Sequence, residues 1–277
     1  GVCAALCAAA DACEGPLAAL RRQTTQWRRT PLHCAAASGD LATIEALLRA
    51  VPEETMQELL AVVDRRERTS AALAINEGHA AAALAIVRAQ HSFAGHTGVA
   101  AEAAAGVLVR ACVAGFRDVA VAVLERGADA NAVTGAACRG LTPLTAAASQ
   151  GSTEVLRLLL GRHDIEVDRR DCSGRSALHY ACQMERPEAV ALLLEHGASA
   201  RATAPGGRSP LFLAAEHGSL GCVDMLLRRS GLTPEDAVQE TARYSTPLAV
   251  ASRRGHKAVA ARLLGFVGAP EAAAAAA

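Results

Sequence analysis

Aromatic residues are scarce in this sequence: one tryptophan, two tyrosines and four phenylalanines, 3% of 277 positions. A core must therefore be built from small and aliphatic side chains, and surfaces for stacking nucleic-acid bases are poorly supplied. Lysine is nearly missing. Lys257 stands alone against many arginines, and 28 basic residues balance 28 acidic ones to a net charge of zero. That balance removes the bulk electrostatic case for a nucleic-acid or membrane partner. Long apolar runs are also lacking, since none approaches the ~18 residues of a membrane span. The Ala-rich opening is broken by Asp11, Glu14, Arg21 and Arg22 and has no basic start, so it does not read as a signal peptide. The chain begins at Gly1 rather than methionine, and a partner domain outside it is an open expectation.

Patterns for chemistry are missing as well. Nine cysteines include no C-x-x-C pair, which argues against zinc, and their odd number argues against a complete disulfide framework. Cys34, Cys112 and Cys182 fall in Ala-rich stretches, where a small buried free thiol is expected. No Ser-His-Asp, His-x-x-x-His, Gly-x-Gly-x-x-Gly or P-loop pattern is seen. Asp164, Glu166 and Asp168 alternate without the glycine and terminal glutamate of a calcium loop, so a solvated acidic loop is the preferred reading. No catalytic, metal or cofactor residue is expected.

What is present is a repeated string. Thr30-Pro31-Leu32-His33 runs into Cys34-Ala35-Ala36-Ala37-Ser38-Gly39. Thr142-Pro143-Leu144-Thr145, Ser176-Ala177-Leu178-His179, Ser209-Pro210-Leu211-Phe212 and Thr246-Pro247-Leu248-Ala249 open similar stretches, the last four starting 34, 33 and 37 residues apart. Each copy predicts a helix capped by Thr or Ser, with Pro at the first helical position in four of the five and Leu pointing to the core. Gly39, Gly151, Gly218 and Gly255 are placed to end these helices in the left-handed region. A second helix follows with aliphatic residues at helical spacing, as in Ile44, Leu47 and Leu48, or Val190, Leu192, Leu193 and Leu194. Then comes a Gly-Ala loop such as Gly127-Ala128-Asp129.

A T-P-L-H-x-A core at this period resembles the ankyrin-repeat family, and the resemblance covers nearly the whole chain. The implied fold class is all-α. It is an ankyrin-repeat solenoid of stacked helix-turn-helix pairs with hairpin-like loops, about seven repeats plus a partial N-terminal one. The expected boundaries are a partial repeat or cap over 3–24, a first repeat with a helical insertion over 25–63, a second over 64–100, and a degenerate third over 101–136. Regular repeats follow over 137–170 and 171–203, one with an insertion over 204–240, a C-terminal repeat over 241–268, and an Ala-rich tail over 269–277. His91–Ala105 reads as a looser loop, and Ser230–Tyr244 as an inserted loop or turn of helix. Gly106-Val107 stand where the third repeat should have Thr-Pro, which leaves its cap in doubt.

The resemblance implies non-catalytic protein–protein binding, as a scaffold or adaptor inside the cell, cytoplasmic or nuclear. Contacts are expected on the hairpin tips and the exposed part of the first helices. The tip candidates are Trp27, Arg29, Arg66, Arg68, Arg139, Arg175, Arg208 and Arg243. The helix candidates are Gln150, Met184, His217 and Arg254. Trp27 is read as a partner anchor or as a cap over the N-terminal partial repeat. The arginines are read as contacts to an acidic or phosphorylated protein, or as pairs within the array with neighbours such as Asp64 and Asp171. His33 and His179 hold the family's histidine position and are expected to tie the cap to adjacent turns. Two rival readings stay open: a recognition domain of a larger enzyme or ubiquitin-ligase subunit, and arginine-mediated binding of a nucleic-acid or phosphate ligand. A monomeric array is expected.

Overall fold

Most first helices begin where a hydroxyl replaces a missing backbone partner. Thr142 is buried, and its Oγ1 accepts the Thr145 N–H at 3.1 Å while Thr145 Oγ1 accepts the Thr142 N–H at 2.8 Å. This reciprocal box satisfies two donors that a buried helix start would otherwise strand. Ser209 and Thr246 cap the N–H groups of Phe212 and Ala249 at 3.2 and 3.1 Å. Thr69 caps Ala72 at 3.3 Å in a copy that has Ser70 in place of proline.

A computed structural model describes residues 27–90, 99–135, 140–241 and 245–268. The expected N-terminal cap over 3–24, the tail over 269–277, and Arg139 and Arg243 lie outside them. The chain divides into two units, Gly1–Arg139 and Gly140–Ala277. In the first, α1 (Pro31–Ser38), α4 (Ser70–Asn76) and α6 (Val99–Ala114) pack as a row of first helices. Behind them α2 (Leu41–Ala50), α5 (Ala80–Ala89) and α7 (Arg117–Glu125) pack as a second row. The extra helix α3 (Glu53–Ala61) buries Met56, Leu59 and Leu60, the spacing read from the sequence.

The second unit repeats the plan. Its first helices are α8 (Pro143–Gln150), α10 (Ala177–Gln183), α12 (Pro210–His217) and α15 (Pro247–Arg253). Its second helices are α9 (Thr153–Leu160), α11 (Pro187–Glu195), α13 (Leu220–Arg229) and α16 (Lys257–Val267). The 230–244 insertion carries the short helix α14 (Pro234–Val238), which packs on α15 and α16. The Ala-rich first helices are thin, and Ala35, Ala36, Ala146, Ala147, Ala148, Ala214 and Ala215 are fully buried between neighbours.

Two expectations change. His91–Ala105 is not all loop, because α6 already runs from Val99 and carries Gly106-Val107 in its interior. The run Val99-Ala100-Ala101-Glu102-Ala103-Ala104-Ala105 is helix-forming by composition and outweighs the single glycine, so this helix starts a full two turns before the position where a Thr-Pro cap was sought. The motif leucines also differ. Leu32, Leu144, Leu178 and Leu211 are buried, whereas Leu248 is only half-buried; α15 is the last first helix among the described residues, so no later one covers it.

Glycine is required at two helix ends for two reasons at once. Gly39 and Gly218 have φ of 70° and 78°, and an added Cβ would lie 2.5 Å from Nδ1 of His79 and of His256 respectively. Those rings lie over the glycines and reach back one repeat: His79 Nε2 is 3.2 Å from the Ala37 carbonyl, and His256 Nε2 is 3.2 Å from the Glu216 carbonyl.

The motif histidines make a second tie. His33 Nδ1 lies 2.8 Å from Thr30 Oγ1 and accepts the Thr30 N–H at 3.4 Å. The proton is thereby assigned to Nε2, which donates to the Arg68 carbonyl at 3.1 Å in the next repeat. His179 repeats the frame, with Nδ1 2.8 Å from Ser176 Oγ, while its buried Nε2 faces the Arg208 and Ala202 carbonyls without closing a hydrogen bond. Burial holds both rings below the ordinary histidine value, His179 at about 4.

Leu178→Ala is expected to cost about 2–5 kcal/mol in urea unfolding, and Leu248→Ala clearly less. Equal costs would refute the burial difference. The His179 ring is neutral when folded and charges more readily when unfolded. Its contribution is therefore full above its unfolded value of 6.5 and is lost as pH falls toward about 4. His179→Gln should flatten this acid branch, measured as melting temperature against pH.

Candidate functional site

Two of the fingers that join the repeats are each held by an acidic residue, and this decides which arginines there remain available. Asp64 opens the finger before α4. Its N–H donates to the Arg68 carbonyl at 2.9 Å, and the Glu67 N–H donates to the Asp64 carbonyl at 3.0 Å. Glu67 at the tip has φ of 57°. Asp64 Oδ1 accepts the N–H groups of Arg66 and Arg68 at 2.8 and 3.0 Å. Its Oδ2 accepts Arg68 Nε and Nη2 at 3.0 and 2.7 Å, a two-pronged pair. Arg29 Nε stands 4.0 Å from the same oxygen. Burial alone would raise the Asp64 carboxyl. The Arg68 guanidinium and the two backbone N–H groups outweigh it and hold the group below its ordinary value.

Trp27 stands beside this turn. Its carbonyl accepts the Arg65 N–H at 3.0 Å. Its ring is 43% exposed, and the guanidiniums of Arg29 and Arg66 lie 5.9 and 5.8 Å from its centroid. Trp27, Arg29, Arg66 and Arg68, picked separately from the sequence, thus form one cluster around Asp64. Arg68 serves the finger. Arg29 and Arg66 brace an exposed aromatic face from two directions.

In the second unit the finger Asp171–Arg175 uses the same chemistry. Asp171 Oδ1 accepts the N–H groups of Ser173 and Arg175, both at 2.9 Å, and Oδ2 accepts Tyr180 Oη–H at 2.6 Å. Arg175 donates to Gln183 Oε1 at 2.8 Å and lies over the Tyr180 ring at 5.8 Å, so it is engaged on its own repeat. Arg254 is engaged as well, donating to Glu216 Oε1 at 2.5 Å. Gln150 and Met184 are exposed on α8 and just past α10, and His217 is half-exposed at the end of α12. Arg208 forms the finger bridge through its backbone, accepting the Ala204 N–H at 2.9 Å. Among the described residues its guanidinium forms no hydrogen bond or ion pair.

The other polar groups have local work. Arg162 pairs with Asp164 at 2.8 Å, Arg169 with Glu166 at 3.2 Å, and Asp168 accepts the Ser199 N–H at 3.1 Å. The alternating acidic loop is thus internally matched. Cys112, Cys182 and Cys222 are buried free thiols, and burial pushes the Cys112 thiol up to about 12, far from reactive thiolate. The sequence reading missed Tyr180 and Ser245. Tyr180 stands at the position that Cys34 holds in the first copy, so a departure from a small residue inside the motif was the signal. Asp64→Asn should cost roughly 1.5–3 kcal/mol at pH 7 by removing the charged acceptor. The carboxyl is depressed when folded, so its contribution is present above about 3.8 and lost as pH falls below that value. The gap between variant and wild type should close there, and a constant gap down to pH 3 would assign the effect to packing.

Comparison with known proteins agrees with this architecture. A profile of three ankyrin repeats matches residues 108–204, and the single ankyrin repeat matches 27–55 and 206–237, together more than half of the chain. Human ankyrin repeat and SOCS box protein 16 is 40% identical over 113 residues, 41% of this chain and 24% of that protein. Target of rapamycin complex 2 subunit AVO2 of Saccharomyces cerevisiae is 29% identical over 113 residues, 41% of this chain and 26% of its own length. The mouse B-cell lymphoma 3 protein homolog is 37% identical over 116 residues, 42% of this chain and 25% of its own. The chain therefore spans about a quarter of the length of these relatives. No helix among the described residues is long and apolar enough to cross a membrane. The chain belongs to the ankyrin-repeat family, whose repeat is a protein–protein interaction module and generally a non-catalytic one.

Proposed function

We propose that the chain is a non-catalytic recognition module that binds a protein partner through its finger tips and the exposed ends of its first helices. The observation that carries this reading is Trp27. A large aromatic side chain lies 43% exposed on a finger, and two guanidiniums hold it in place. Burying that ring against a partner would release apolar surface from water at little cost in side-chain entropy, because the ring is already positioned. The flanking arginines would select acidic groups beside an apolar contact. Met184 and Gln150 add exposed surface on the second unit. An adaptor or complex-subunit role is supported by the relatives, one of which is by name a subunit of a complex. Recognition on behalf of a catalytic domain elsewhere in a longer protein is the alternative role for the same surface.

The test compares affinity capture by the wild-type chain with capture by Trp27→Ala and Arg66→Glu. Partners held by the wild type are expected to be lost from both variants, while stability changes by no more than about 0.5 kcal/mol. Unchanged capture, or a large fall in melting temperature for Trp27→Ala, would assign the ring to structure instead of binding.

A further inference from the structure

We propose that the second unit carries a recognition site for a phosphorylated serine or threonine side chain, in the cleft between the finger at 204–208 and the first helices α12 and α15. The proposal rests on the reading of the chain as a binder of protein partners and names a chemistry for one contact. The cleft holds about 610 Å³, within the range of sites that take a specific ligand. Its polar wall carries two arginines. Arg208 and Arg253 both line it, and neither guanidinium has a hydrogen bond or ion pair among the described residues. Ser245 lines it too, with only 8% of the residue exposed. The Ser245 hydroxyl is buried without a hydrogen-bond partner among the described residues.

The one carboxylate on the wall does not cancel this charge. Glu216 Oε1 accepts Arg254 Nη2 at 2.5 Å, and the Glu216 carbonyl is taken by His256 Nε2 at 3.2 Å. Thr241 Oγ1 already accepts the Ser245 N–H at 3.4 Å, which fixes the backbone that carries the free hydroxyl. Two guanidiniums without a partner among the described residues remain on the wall. That set matches a phosphate ester, with close to two negative charges and three acceptor oxygens, better than a carboxylate with one charge and two oxygens. Several other arginines are already matched. Arg68, Arg162, Arg169 and Arg201 all have acidic partners at hydrogen-bond distance.

A free phosphate would leave much of the cleft unfilled. Phe212 and Pro205 supply an apolar side to it, suited to the residues that flank a phosphorylated side chain in a peptide. The cleft also opens between a finger and the first helices, the face on which partner contact is proposed, so a phosphopeptide segment of that partner is the occupant the geometry favours.

The test presents the full chain with a degenerate peptide library that has phosphoserine fixed at its centre, and with matched libraries that have serine or glutamate there. Inorganic phosphate and inositol hexakisphosphate are titrated in parallel. The phosphoserine library should be retained at least about ten-fold above the serine library, and Arg208→Ala and Arg253→Ala should each lose about ten-fold. Both variants should melt like the wild type, since Arg253 is exposed and Arg208 serves the fold through its backbone. Equal retention of the glutamate library would make the site a carboxylate site and overturn the proposal. Tight inositol hexakisphosphate binding without library enrichment would make it a small-anion site and overturn it too. Enrichment that survives both arginine variants would place the phosphate elsewhere. A partner captured through Trp27 but indifferent to phosphatase treatment would sink this site and leave the binding reading intact. Phosphopeptide retention with no Trp27-dependent capture would do the reverse.

Discussion

The structure depends on burying helix starts. Thr30, Thr142 and Ser176 are almost completely removed from water, and a helix start carries N–H groups with no partner inside the helix. Stacking one repeat on the next depends on a hydroxyl at the cap, joined in three repeats by a ring or second hydroxyl three residues on, satisfying those groups first. Thr30 with His33, Thr142 with Thr145 and Ser176 with His179 are three versions of this solution. Once the start is satisfied, the Ala-rich helix behind it can be buried on both sides. The His33 ring adds a bond to the Arg68 carbonyl, so the group that satisfies one repeat also sets the height of the next. The low values of His33 and His179 follow from the same arrangement: a charged ring in that frame would be desolvated and would turn a donor toward donors.

The same economy orders the fingers. Asp64 and Asp171 each gather the backbone N–H groups of a five-residue turn, and each also holds a side chain, Arg68 in one case and Tyr180 in the other. Arginines near these acids are drawn into the fold. What stays outward is what the turn does not use: Trp27 with its two flanking guanidiniums in the first unit, and Arg208 in the second. The proposed binding residues of each unit are thus the remainder left after its fingers have been built.

Most of the architecture was legible because it is local and periodic. The Thr-Pro-Leu strings and their variants marked five of the helix starts, and the glycines at 39, 151 and 218 marked helix ends that do adopt left-handed geometry. The extra helix at 53–61 and the short helix at 234–238 were visible as spacing and as a Thr-Pro start. The start of α6 was not visible, because an Ala-rich run needs no cap signal to be helical. The half-exposure of Leu248 was hidden for a different reason, since the motif is the same and only its neighbours differ. For the binding face, sequence named the arginines but could not sort them. Whether Arg175 is engaged depends on Gln183 and Tyr180, and whether Arg208 is free depends on which acids lie near it in space.

The ring of His79 over Gly39 has a consequence for how the chain folds. The hydrogen bond from that ring to the Ala37 carbonyl joins positions 42 residues apart, the equivalent pair at Glu216 and His256 is 40 apart, and His33 to Arg68 is 35 apart. These separations are set by the repeat, so they do not lengthen as repeats are added. Loop-closure entropy is therefore incurred in small equal steps. A nucleus can form at any well-capped pair and grow by one neighbour at a time. Local damage in such a chain, for instance a side chain in place of Gly39, would interrupt growth at one junction and leave the more distant pairs able to form.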